Sequence, residues 1–185
     1  GKITGEVIYL DAKTDSALDT YKGKLKKKFV LFSDVREIKA HWDPEASREQ
    51  DSSLLKMANA DLPQQRRGGQ GQMFQQSPEE KARAVLQYKK WMMCQEEGAL
   101  AVLEISRGDG GNMFVQGATV PYHPDTPAVR RARVYETKAP KIPTQIVIGA
   151  EHYNRMIRML QKGEKLKIEM NLDVEFNKAD SVSNI

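Results

Sequence analysis

The chain is expected to fold as an α/β (α+β) unit, with sheets packed on each other and two core helices on one side. Three observations lead there. Short, largely apolar runs such as "VIYL" (7–10) and "KFVLF" (28–32) read as buried strands. Two stretches join helix to strand at close quarters, "KKWMMCQEEGALAVLEI" (89–105) and "IPTQIVIGAEHYNRMIRMLQKG" (142–163). The closing "KLKIEMNLDVEF" (165–176) alternates apolar and polar residues throughout, the pattern of a half-exposed strand.

In chain order, Val7 to Leu10 form a first strand between Gly5 and Asp11, and "KFVLFSD" a second. Residues 39–78 change character. Pro44 opens a helix through "EASREQDSSLLKMANA", and "LPQQRRGGQGQMFQQSP" has no core-forming pattern, so the segment reads as a polar insertion. Ser77, Pro78 and Glu80 then supply an N-cap, a proline in the first turn and a capping box. The helix they start has Ala82, Val85, Leu86, Met92 and Met93 as its inner face, Lys89 as an imperfection among them, and Gly98 as its stop. Ala99 to Ile105 is the next strand; "SRGDGGN" turns the chain and "MFVQG" returns as the second arm of a hairpin. After the Pro-rich "VPYHPDTP", Ile146 to Ile148 is a strand, and Tyr153, Met156, Ile157 and Leu160 line a helix closed by Lys162 and Gly163. The sum is about six strands and two core helices.

With 185 residues the chain fits one domain, 1–185, with an insertion at about 39–78. No apolar run approaches the roughly 18 residues of a membrane span. The net charge of +4 is mildly basic. Its lysines and arginines cluster at Lys24 to Lys28, Arg66–Arg67 and Arg130–Arg133 without interleaved stacking aromatics, so they read as solvated faces and not as a nucleic-acid surface. A single Cys rules out an intrachain disulfide, and there is no signal-peptide pattern. The opening "GKITGEVIYL" drops straight into a strand, which suggests a piece of something longer.

Candidate chemistry is sparse. His41, Asp43, Asp51, Glu96–Glu97, Asp125 and His152 can be assembled into a two-zinc hydrolase set, but zinc ligands belong on strand ends and loops that converge on one open position. Here Asp43 runs into Pro44, and Glu96–Glu97 closes a helix, where a solvated pair is expected. Cys94 lies near the partially negative end of its helix, which disfavours a thiolate. His152, in the first turn of a helix, lacks the small and hydroxyl neighbours of a phosphocarrier. Arg107-Gly108-Asp109 spells an adhesion tripeptide by coincidence. Nucleotide-binding and serine-hydrolase motifs are missing.

"GKLKKKFVLF", "EEGALAVLEI", "KIPTQIVIGAEHYNRMIRMLQKG" and "KLKIEMNLDVEF" resemble the protease-associated domain, in the form inserted in secreted zinc exopeptidases related to aminopeptidases, glutamate carboxypeptidases and the transferrin receptor. The 39–78 insertion is longer and more polar than in a minimal domain of this kind. The resemblance implies a swivelling β/β/α-type fold with no catalytic, cofactor-binding or metal-binding residues of its own. Zinc belongs in a catalytic domain outside this sequence. The implied partners are the flanking peptidase domain and a peptide or protein substrate, in an extracytoplasmic setting. Tyr122, His123, Arg130 and Arg131, in the irregular loop, are the candidate substrate- or partner-facing residues. Two alternatives stay open: a small metallohydrolase using His41, Glu96 and His152, or a binding module of another protease or a sorting receptor.

Overall fold

The computed structural model describes residues 1–40, 42, 44, 46–60, 77–115 and 117–173. In order the elements are β1 (Lys2–Tyr9), α1 (Asp15–Asp19), β2 (Lys28–Leu31), α2 (Asp51–Ala58), α3 (Pro78–Glu96), β3 (Ala101–Ile105), a 3-10 turn (Ala128–Arg130), β4 (Thr144–Ile148), α4 (Ala150–Gln161) and β5 (Lys167–Asn171). The fold is mixed α/β. The described strands form one five-stranded sheet, ordered β4-β3-β2-β1-β5. β1 to β4 are parallel neighbours, and β5 closes the sheet antiparallel to β1.

The expected stack of two sheets with helices on one side is corrected by this arrangement. Alternate residues of the inner strands point into two separate cores. Leu10, Val30, Phe32 and Val102 pack with Leu18 of α1 and with Trp91, Met93 and Cys94 of α3. Val7, Phe29, Leu31, Ala101 and Leu103 pack with Tyr153 and Ile157 of α4. A strand apolar at every position must be covered on both faces, and parallel strands are built that way. α1 and α3 therefore lie on one face and α4 on the other.

The capping box at Ser77 is present in full, with Glu80 N–H donating to Ser77 Oγ and Ser77 N–H to Glu80 Oε2. At the other end Gly98 takes a φ of 72°. Ala99 N–H reaches back to the Cys94 carbonyl and Gly98 N–H to that of Gln95, so orphan carbonyls are satisfied as the chain turns into β3. The buried face of α3 is Lys90, Trp91, Met93 and Cys94. Ala82 is exposed, and Lys89 faces solvent and pairs with Asp15, so the polar residue on the inner face is Lys90.

Other expectations shift too. Residues 46–50 are not helical, and α2 starts only at Asp51 after the Gln50 cap, with no buried residue to hold a longer helix. Met113 to Val115 is exposed chain and not the arm of a hairpin. The alternation of the last strand holds through Met170. Leu172 is already exposed, and 174–176 lie outside the described residues. α1, which periodicity did not reveal, is capped by Thr14, whose Oγ1 accepts the Ala17 N–H at 3.2 Å. Among the described residues no helix is long and apolar enough to cross a membrane.

Candidate interaction surface

Between β3 and β4 the chain runs without a described strand from Ser106 to Pro143. Its first part is a pinched loop around the buried Ser106 hydroxyl, which accepts the Gly108 and Phe114 N–H groups and donates to the Asn112 carbonyl. A Cβ on Gly108 would lie 2.4 Å from that carbonyl oxygen, so only glycine fits. Arg36 reaches in from the chain after β2 to the Gly108 carbonyl at 2.6 Å and to the Asp109 carboxylate. The tripeptide at 107–109 is thus tied down at its acidic end.

The second part carries Tyr122, His123, Arg130 and Arg131. Gln145 anchors it to β4, its side-chain amide exchanging two 2.7 Å hydrogen bonds with the Thr119 backbone. Tyr122 Oη accepts the Ala132 N–H at 2.7 Å and donates to the Ala132 carbonyl at 3.0 Å. Arg131 donates to the Thr126 and Pro124 carbonyls. His123 stands edge-on to Tyr88 of α3, ring centroids 5.4 Å apart, and beside it Asp125 meets Lys81 at 2.6 Å. The Lys81 ammonium, bonded to it, holds the Asp125 carboxyl below its ordinary value.

Three of the four candidates are therefore braces that shape the loop. Arg130 is the one without a polar partner among the described residues, and it projects beside Val129, which is 91% exposed. Tyr135 is also exposed, with the Arg133 guanidinium over its ring and bonded to its hydroxyl at 2.7 Å. Tyr122, Arg131, Arg133 and Tyr135 line a shallow groove of about 550 Å³, which Val129 and Arg130 do not border. Cationic and apolar groups held on a braced loop can bind a surface or peptide; they supply no paired nucleophile and base.

The residues of the zinc-like constellation are dispersed. His41 and Asp43 lie outside the described residues. Asp51 is exposed on α2, Asp125 is paired with Lys81, and His152 is exposed on α4. Glu96 is solvated as expected, but Glu97 is not. Its two oxygens accept the Gly23 and Leu25 N–H groups at 2.7 and 2.9 Å, tying α3 to the turn before β2. Cys94 is fully buried, and burial pushes its thiol up to about 12. Among the described residues no group of His, Cys, Asp and Glu could hold a metal ion. The sequence does not single out Lys90, which stands three or four residues from Leu86, Met93 and Cys94 as Lys89 does from Val85, Leu86, Met92 and Met93. Compared with known proteins, the chain matches no family model, no curated protein and no solved structure.

Proposed function

We propose that the chain is a noncatalytic protease-associated domain, carried by an extracytoplasmic zinc-dependent aminopeptidase or carboxypeptidase. It shapes substrate access or binds protein through the loop bearing Tyr122, His123, Arg130 and Arg131. The observation that carries the reading is the pairing of β1 with β5. Lys2 lies opposite Asn171, and the Leu172 N–H bonds the Gly1 carbonyl. β5 thus lies antiparallel beside β1, the place a return strand would take in a domain of this kind. The quoted segments that carry the family resemblance fall on β2, the α3–β3 joint, the β4–α4 joint and β5. Reactive side chains serve the fold: Glu97 as a backbone acceptor, Cys94 as core, His123 as a packing partner of Tyr88. The described strands make one sheet and not two stacked β layers, so the proposal rests on the joints and the β1–β5 pair. Its test is whether the isolated chain binds zinc and turns over aminoacyl substrates.

A further inference from the structure

One stripe of α3 is left facing an open space. Ala82, Arg83, Leu86, Gln87 and Lys90 follow one another at helical spacing and line a cleft of about 760 Å³. The opposite wall is chain leaving the carboxyl ends of β1 and β2, from Ala12 to Asp15 and from Phe32 to Asp34. Ligands of open α/β sheets collect at the carboxyl ends of the strands, where loops and free backbone groups converge. This explains why Ala82, on the apolar side of α3, is exposed: it borders the cleft and not the core.

At the inner end lies Lys90, only 5% exposed. Its charged neighbours are already matched. Lys13 pairs with Asp34 and Asp11, and Lys89 with Asp15. Lys90 has neither a hydrogen-bond acceptor nor an ion-pair partner among the described residues. The ammonium of a largely buried lysine with no carboxylate in ion-pair contact keeps part of its desolvation cost, of which the Asp34 and Asp11 charges offset some, and an arriving anion relieves the rest. Burial, with the Lys13 charge adding to it, pushes the Lys90 ammonium's pKa down.

We propose that this cleft binds a carboxylate-bearing ligand, Lys90 meeting the carboxylate while Leu86 and Ala82 lie along its apolar part. Among the charged residues of the lining, Lys90 and Arg83 are the cations and Glu79 the carboxylate without an ion-pair partner among the described residues, so the walls carry one unmatched positive charge, which suits a single negative one. A dianion such as phosphate would face the carboxylates of Asp15, Asp34 and Glu79 on the walls, which a monoanion meets at half the repulsion. The carboxylate can belong to a free small acid or to a peptide C-terminus. The site stands independently of the accessory-domain reading, because binding is measured whatever protein carries the chain.

The experiment titrates the purified chain with hexanoate, inorganic phosphate and hexylamine, following backbone amide shifts and Tm. Hexanoate is expected to give saturable shifts confined to the cleft walls and a rise in Tm, with phosphate weaker and hexylamine without effect. Lys90→Met, which keeps the stem and removes the charge, should weaken hexanoate at least about tenfold, and Lys90→Arg should restore part of the loss. Should Lys90→Met not fold, hexanoate protection of Lys90 from acetylation in the unaltered chain, read by mass spectrometry, takes its place. Competition by a short peptide with a free C-terminus but not by its amide assigns the carboxylate to a peptide; hexanoate binding with no competition from either assigns it to a free acid. Absence of saturable shifts in the cleft, phosphate binding more tightly than hexanoate, unchanged affinity in a folded Lys90→Met, or unprotected Lys90 would overturn the proposal.

Discussion

The Glu97 carboxylate grips the backbone of Gly23 and Leu25 together, one oxygen to each N–H. Glu96, one residue earlier, points to solvent. The pair therefore contains its own control. Glu97→Ala should cost about 1–3 kcal/mol, since two donors lose their charged acceptor, whereas Glu96→Ala should stay within about 0.5 kcal/mol. Urea unfolding of the two variants checks this; equal losses would show that the turn before β2 does not depend on the contact.

A second brace joins α4 to the chain after β2. Asn154 Oδ1 accepts the Arg36 N–H at 3.2 Å and its Nδ2 donates to the Arg36 carbonyl at 2.7 Å, while Tyr153 Oη accepts the Ser33 N–H at 2.9 Å. Asn154→Ala should destabilise by about 1–3 kcal/mol and Tyr153→Phe by about 1–2 kcal/mol. Hydrogen exchange offers a local readout: the Arg36 amide should lose protection in Asn154→Ala, and the Ser33 amide in Tyr153→Phe.

Cys94 should be chemically silent in the folded chain. It is fully buried and its thiol is raised to about 12, so a disulfide reagent at neutral pH has neither access nor thiolate. Modification should be at least about a thousandfold slower than in denaturant, with opening of the α3 core as the only route. Above pH 9 the unfolded thiol ionises before the folded one, so Cys94 removes stability as pH rises from 9 toward about 12. Cys94→Ala should abolish that alkaline contribution.

Lys90 works in the opposite sense. Its folded pKa is depressed from the ordinary 10.5, so below the folded pKa both states are protonated and the buried charge costs stability in full. As pH climbs through the folded pKa toward 10.5 the cost fades. Lys90→Met should therefore raise Tm at pH 7, and the gap to the unaltered chain should narrow with rising pH. Thermal unfolding between pH 7 and 10.5 gives the curve, and a gap independent of pH would mean that the ammonium reaches water.

Much of this architecture can be read from the chain because it is written locally. The Ser77 capping box, the Gly98 stop, the β4–α4 joint and the alternation of Leu166, Ile168 and Met170 all sit within a few residues of one another. What escaped depends on distance. Phe29, Val30, Leu31 and Phe32 are apolar without alternation, which signals burial on both faces but does not say which helix covers each. Glu97 looks like any helix-end carboxylate until the turn at Gly23 is folded beside it, and Arg131 looks like a free loop cation until the carbonyls of Pro124 and Thr126 surround it. The choice between Lys89 and Lys90 as the inward residue is a rotation of a single helical step, finer than the pattern resolves.

The proposed role is binding without catalysis. Metal analysis of the purified chain, with turnover of aminoacyl chromogenic substrates measured before and after adding zinc, tests it most directly. Substoichiometric zinc and no turnover above background are expected in either condition. Stoichiometric zinc with turnover that His41→Ala abolishes would contradict it and make the chain a metallohydrolase in its own right.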